Sequence, residues 1–211
     1  MINGELVANL RTHLGRIARV LSTPLQSALR LRARHRVGSA EIDIRPLSKA
    51  QLATVQSALP ESGITSQDLT DHITNRTTIV VAWLDHVPIG IGWIDWKGPR
   101  SATVETLLGR VAEIHRLHVH KQYRSLGVGT QLIKSFERLA VLQNQTLIGL
   151  GVHMTNHRAL TLYRRLGYVE AGGRYLDEYT VRRADGIQSP VRVPALYMVR
   201  KAAGAEQVAA A

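Results

Sequence analysis

The chain contains no cysteine, which removes disulfides, thiolate metal sites and cysteine nucleophiles together. A reducing, cytoplasmic setting is the expected one. Aromatic side chains make up 5% of the 211 residues, with a single Phe, so aliphatic packing must supply most of the core. No apolar run reaches the ~18 residues that a membrane-spanning helix needs. Acidic residues are scarce at the start. Among residues 1–40, Glu5 alone faces seven arginines (Arg11, Arg16, Arg19, Arg30, Arg32, Arg34 and Arg36). The rest of the chain carries 20 basic and 15 acidic side chains, a mild excess that attracts a cofactor with several phosphates as readily as nucleic acid.

What is present divides into three parts: a basic N-terminal extension over 1–40, one α/β domain over 41–202, and a flexible alanine-rich tail over 203–211. In the extension, Leu6, Leu10, Leu14, Ile17 and Leu21 recur at helical spacing with arginines between them, and Pro24 interrupts the pattern. This amphipathic segment is compatible with a membrane-surface contact through residues 1–36, with a targeting piece, with docking on the body or on a second copy in a homodimer, or with a disordered basic tail.

In the body, hydrophobic periodicity predicts a strand from Glu41 to Leu47 and a helix from the cap Ser48 towards Leu59. A second short helix follows from Ser66 to Thr74. Thr77–Leu84 and Val87–Trp96 flank Asp85-His86 and predict a hairpin. Lys97–Arg100 is a loop, and Ser101–Leu108 fits either helix or strand. A strand at Val111–Val119, a helix over Leu126–Leu142 and an almost wholly apolar strand at Thr146–Val152 come next. Asn156–Leu166 is a helix stopped by Gly167. Tyr168–Tyr179 and Pro194–Arg200 close the domain as strands around a polar loop. The expected fold class is a mixed α/β sheet flanked by helices.

Two segments carry chemistry. Arg124-Ser-Leu-Gly127-Val-Gly129 links a strand to a helix. Glycines there let the backbone approach a bulky anion, and the first amides of the helix are unpaired at the positive end of its dipole. That combination cradles a pyrophosphate. It is neither a P-loop nor a dinucleotide fingerprint, because Gly-Lys-Ser/Thr and the G-x-G-x-x-G spacing are absent. The second segment, Asn156-His-Arg-Ala159-Leu-Thr-Leu162-Tyr163-Arg-Arg-Leu166-Gly167-Tyr168, opens with a capping residue. It sets Tyr163 about two turns on, on the same side as Asn156.

The order strand, Arg-x-x-Gly-x-Gly, helix, strand, Asn-x-x-Ala-x-x-Leu-Tyr-x-x-Leu-Gly-Tyr resembles the central half of the GNAT superfamily of acetyl-CoA-dependent N-acetyltransferases, over about residues 111–170. The resemblance implies the GNAT acyl-CoA N-acyltransferase fold, with acetyl-CoA as co-substrate and no metal. Pantetheine amides would pair with the strand edge at Leu117, His118 and Val119. The pyrophosphate would rest on amides of Ser125, Leu126, Gly127, Val128, Gly129 and Thr130, beside Arg124, with Asn156 touching the cofactor further on. Tyr163 matches the tyrosine that meets the thiol sulfur and protonates the departing thiolate. Glu113 matches the general base of one branch, and a salt-bridged or solvent-facing carboxylate accounts for it equally well. A second branch sets its glutamate five residues before the motif asparagine, where this chain has Gly151.

On strict alternation Glu113 shares a face with His115, Leu117 and Val119, opposite His118 and His120, unless a bulge shifts the parity. His115 or His153 is a further candidate for proton removal, and His157 lies beside the motif. Trp93 reads as core and Trp96 as core or as a wall of the acceptor pocket. Tyr175, Asp177, Glu178 and Tyr179 fall where the family builds acceptor sites. The expected reaction is direct acetyl transfer to a primary amine, a small molecule being favoured over a protein. Rival readings are a catalytically silent CoA-binding regulator, and a nucleic-acid or membrane-surface protein working through the basic arm, although no nucleic-acid partner is expected.

Overall fold

Two consecutive residues with left-handed backbone, Asp85 at φ 45° and His86 at φ 70°, turn strand β3 (Thr77–Leu84) into β4 (Val87–Asp95). A two-residue loop of this hand matches the right-handed twist of the strands it joins. The computed structural model that contains this hairpin describes residues 33–37, 40–182 and 188–202. The amphipathic pattern from Leu6 to Leu21 and the tail over 203–211 lie outside the described residues.

Around the hairpin an eight-stranded sheet is ordered β1-β2-β3-β4-β5-β6-β8-β7. Its other strands are β1 (Ala33–Val37), β2 (Ala40–Pro46), β5 (Ala112–Val119), β6 (Leu147–His153), β7 (Val169–Arg182) and β8 (Gln188–Lys201). Among the described residues only β5 and β6 pair in parallel; the other neighbours are antiparallel. A parallel pair needs a crossover, supplied here by helix α4. The helices are α1 (Leu52–Ala58), α2 (Ser66–Ile73), α3 (Ala102–Leu108), α4 (Val128–Leu142) and α5 (His157–Arg165).

This is the mixed α/β sheet expected, with local differences. Residues 33–37, read from sequence as part of the extension, form the edge strand β1 against β2. The ambiguous segment after Arg100 is helix α3. Much of the expected polar loop is strand, since β7 runs to Arg182 and β8 starts at Gln188. Pairing between these two strands supplies backbone partners that local propensity does not reveal. Ser48 caps a 3-10 turn, Lys49–Gln51, that leads into α1.

Each face of the sheet buries its own core. Ile42, Ile44, Val80, Ala82 and Ile94 meet Leu132, Ile133, Phe136, Leu139 and Ala140 of α4 on one side. Ile79, Val81, Trp83, Ile91 and Trp93 meet Val55 of α1, Leu59 and Leu69 of α2 on the other. Period-2 alternation in the strands and the apolar stripes of the helices separate the two sets. Two glycines of β4 make room for α4. A Cβ at Gly92 would lie 2.9 Å from Phe136 Cε2, and one at Gly90 would lie 3.1 Å from Val128 Cγ1.

Two polar anchors hold the α1–α2 layer to the sheet. His72 is buried; its Nδ1 accepts the Ile79 N–H at 3.2 Å and its Nε2 sits 2.9 Å from the Leu47 carbonyl. This arrangement requires the neutral ring with its proton on Nε2, and burial lowers the pKa from 6.5. Arg116 of β5 donates to Asp68 Oδ1 at 2.7 Å and to the carbonyls of Ser62 and Gly63 at 2.8 and 2.7 Å. Its guanidinium lies 4.2 Å from the Trp93 ring centroid, a cation–π contact that adds to these bonds.

Both anchors are testable. Arg116→Ala removes charge-assisted hydrogen bonds from a half-exposed side chain, and a loss of about 2 kcal/mol in denaturant unfolding is expected. Because the folded state disfavours protonated His72, the unfolded state binds more protons just below pH 6.5, so stability declines as pH falls through that value. Thermal melts from pH 8 to 5 should show this slope. It should be shallower in His72→Gln, and an equal slope in both proteins would remove the assignment.

Candidate active site

Strands β5 and β6 are paired only at Ala112↔Ile148, Glu113↔Gly149 and Ile114↔Leu150, after which they separate. The cause lies in β5. Arg116 takes φ 52°, and the register against β4 skips from Trp93↔His115 to Ile91↔His118. Arg116 and Leu117 therefore oppose Gly92 alone. Such a bulge bends its strand and raises the local twist, carrying the far end of β5 away from β6. Among the described residues no strand covers the β6-facing edge beyond Ile114.

The bulge also corrects the parity expected from sequence. His118 lies on the same face as His115 and Glu113, towards α1 and α2. Leu117 and Val119 lie on the other face, against the core under α4. Strict alternation fails because one residue in the strand has no ladder partner.

At the end of β5 the chain passes through Lys121–Tyr123 and turns into α4. Ser125 at φ 67° and Gly127 at φ 81° adopt left-handed backbone, and Gly127 is the N-cap. The first intrahelical bond is Gln131 N–H to Gly127 carbonyl, leaving the amides of Val128, Gly129 and Thr130 free of helix partners. Arg124 Nε donates to the Val119 carbonyl at 2.9 Å, and Arg158 Nη2 of α5 donates to Ser125 Oγ at 2.8 Å. At Gly129 a Cβ would meet Leu162 Cδ2 at 3.7 Å and Val119 Cγ2 at 3.9 Å, so the bare backbone forms part of a cleft wall.

That cleft has a volume of about 800 Å³. β5 contributes Leu117, His118 and Val119; the turn contributes Arg124, Ser125 and Gly127; α4 contributes Val128, Gly129 and Thr130; Asn156 and Tyr163 close it. Leu126 stands outside this lining and is 43% exposed. Arg158 and Leu162, inside the expected segment from Asn156 to Tyr163, also line it, as do Tyr123 and Arg165, which sequence reading overlooked. The seven-residue spacing of Arg158 and Arg165, parallel to that of Asn156 and Tyr163, was the available signal. Asn156 Oδ1 accepts the Ala159 N–H at 3.1 Å, the expected cap. Tyr163 is 8% exposed, and burial pushes its pKa up to about 12, so the phenol keeps its proton and acts as a donor.

Glu113 is apart from the cleft lining. It is 7% exposed, on the sheet face opposite α4. Its Oε2 accepts the backbone N–H of Arg100 at 3.0 Å. Burial raises its pKa, and the Arg100 amide and charge oppose the rise. The Tyr197 phenol lies beside the carboxylate without reaching full hydrogen-bond geometry. Two glycines of β6 make room for phenols here. A Cβ at Gly149 would lie 2.5 Å from Tyr197 Oη, and one at Gly151 would lie 2.1 Å from Tyr175 Oη.

The histidines divide by surroundings. His115 is pushed down to about 3 by burial and by the charges of Arg100 and Arg116. Burial also lowers His118, against the pull of Glu61 at 3.6 Å. His153 pairs with Asp177 at 3.0 Å. Among the described residues no three His, Asp or Glu side chains are grouped to hold a metal ion. Trp93 is buried core, and Trp96 packs at the core edge with its indole N–H on Thr78 at 3.1 Å.

Comparison with known proteins agrees with this architecture. The acetyltransferase (GNAT) family profile matches residues 47–168, more than half of the chain. An uncharacterized N-acetyltransferase of Methanocaldococcus jannaschii is 37% identical over 60 residues, covering 28% of this chain and 26% of that protein. The match thus spans about a quarter of that relative. A ribosomal-protein-S5-alanine acetyltransferase of Vibrio fischeri superposes with a TM-score of 0.61 at 10% identity, covering 82% of this chain and 98% of that one. A spermidine/spermine N-acetyltransferase of Vibrio cholerae gives 0.56 at 17%, covering 79% and 96%. At these identities the likeness concerns the fold.

The two glycines of the turn have separable roles. Gly127→Ala forces a side chain into left-handed backbone and is expected to cost about 1 kcal/mol. Gly129→Ala meets no close atom and has an ordinary helical position, so its melting temperature should equal or exceed that of wild type. Equal losses in both variants would contradict this division.

Proposed function

Since the chain belongs to the acetyltransferase (GNAT) family, whose members are acyltransferases with acetyl-CoA as co-substrate, we propose that it moves the acetyl group of acetyl-CoA directly to a primary amine, with a small-molecule amine favoured over a protein amine. The observation that carries the reading is the divergence of β5 from β6 beside the first turn of α4. It joins a strand edge without a strand partner to a set of free amides.

The chemistry follows from these parts. Pantetheine is an extended chain with two amides, suited to the strand edge at Leu117–Val119 in the way a peptide adds to a sheet. The diphosphate suits the amides of Val128 to Thr130, the positive end of the α4 dipole and the guanidinium groups of Arg124 and Arg158. Tyr163, buried and protonated, suits donation to the thiolate as the C–S bond breaks. Alkyl ammonium ions are mostly protonated at neutral pH and must lose a proton before attack. Glu113 is one candidate for receiving it; its raised pKa favours proton acceptance, and its coverage by residues 98–100 works against direct contact with an amine. The relatives named above acetylate an alanine of a ribosomal protein in one case and polyamines in the other, so the shared fold supports the acetyl donor and leaves the acceptor to local side chains.

Calorimetric titration with acetyl-CoA tests the site. Micromolar affinity is expected for wild type and for Tyr163→Phe, while Gly129→Glu should weaken binding by at least about 100-fold through charge repulsion and occlusion. Tyr163→Phe should lower kcat by about 100-fold or more. Absence of acetyl-CoA binding by the folded wild-type protein would sink the reading.

A further inference from the structure

A second polar cluster lies at the outer end of β6, on the face away from α4 and α5. Glu113 pairs with Gly149, and Gly149, Gly151 and His153 alternate onto that face. His153 and Tyr175 both register against Ala195 of β8, which brings β7 side chains over the end of β6. His153 Nε2 lies 3.0 Å from Asp177 Oδ2. The imidazole stacks on Tyr179 with centroids 5.7 Å apart and planes 11° apart. A carboxylate only accepts hydrogen bonds, so Nε2 carries the ring proton and Nδ1 presents its lone pair. Among the described residues nothing bonds to Nδ1. The pair is accessible, with 35% and 42% of the two side chains exposed.

This cluster and Tyr163 lie on opposite faces of the sheet, with His153 three residues beyond Leu150, the last β6 residue paired with β5. An acyl group held in the divergence presents one side to Tyr163 and the other to the face bearing Gly151, Tyr175 and His153. An amine arriving from that face meets the Tyr175 hydroxyl, which fills the space of a side chain at position 151, and then the imidazole. Glu113 is less available, since its carboxylate is bonded to the Arg100 amide under residues 98–100 and is 7% exposed.

We propose that His153, oriented by Asp177, is the group that takes the proton from the acceptor amine. This rests on the acetyltransferase reading above. The ammonium gives one proton to Nδ1, leaving a neutral amine whose lone pair attacks the thioester carbon. The C–N bond forms and the carbonyl π pair moves to oxygen. When that pair returns, the C–S bond breaks and the sulfur takes the Tyr163 proton. The new amide nitrogen loses its surplus proton to the tyrosinate through water, and His153 releases its proton to solvent. The balance is one ammonium and one thioester giving one amide, one thiol and one proton. A carboxylate behind the imidazole holds its tautomer. The ionisable groups against it are Asp177 and Tyr179 of β7, with Tyr175 at the same register position beside Ala195 and in turn against Tyr197 of β8. Glu178 and Arg192 pair with each other at 2.9 Å on the reverse face.

The test uses the full chain and the best acceptor found for wild type among 1,4-diaminobutane, glucosamine, lysine and an alanyl tetrapeptide amide. Slow acetyl-CoA hydrolysis replaces transfer if none reacts, because attacking water gives its proton to the same base. His153→Gln should lower kcat/KM at least about 100-fold and leave the acetyl-CoA Kd within about twofold, since His153 is outside the cleft lining. Added imidazole should partly restore His153→Gly, which a packing role does not predict, and Asp177→Asn should lose less. Retention of rate in His153→Gln, with loss in Glu113→Gln, overturns the assignment and leaves the acetyltransferase reading intact. Wild type that binds acetyl-CoA yet neither transfers nor hydrolyses sinks both.

Discussion

One residue in left-handed conformation organises much of this molecule. Arg116 interrupts the ladder between β4 and β5, and the interruption bends β5 away from β6. A non-glycine residue at positive φ is unfavourable by about 1 kcal/mol or more. Here the same residue offsets that cost. Its guanidinium holds Asp68 and the carbonyls of Ser62 and Gly63 while lying over Trp93. The bend that opens the cleft is therefore tied to the helical layer on the opposite face.

Glycines without unusual backbone angles matter through the space they leave. Gly90 and Gly92 bring α4 down onto β4, which sets the height of its first turn and hence of the unpaired amides. Gly149 and Gly151 leave a trough on the other face that two phenols occupy. At these positions side chains of neighbouring elements pack directly on the sheet backbone from both faces.

Charge is arranged to match. The cleft side carries Arg124, Arg158 and Arg165, complementary to phosphates. The opposite face is mixed, with Glu61, Asp177 and the buried Glu113 accompanied by Arg100 and Arg116 among histidines and tyrosines.

The sequence by itself determined what depends on near neighbours. Periodicity was enough for the helices and most strands, the Asp85-His86 turn for the hairpin, and Gly127 with the Asn156 to Tyr163 spacing for the two helix starts that line the cleft. These features arise from backbone sterics, capping and helical pitch within a few residues. Tertiary structure alone decided the bulge at Arg116, because a skipped partner exists only relative to Gly92 on another strand. It also decided the insertion of β8 between β6 and β7, the enclosure of Glu113 by residues 98–100, and the meeting of His153 with Asp177. Each joins residues whose separation along the chain carries no periodic signal, so register and strand order, set by the packing of the whole sheet, determine which of them touch.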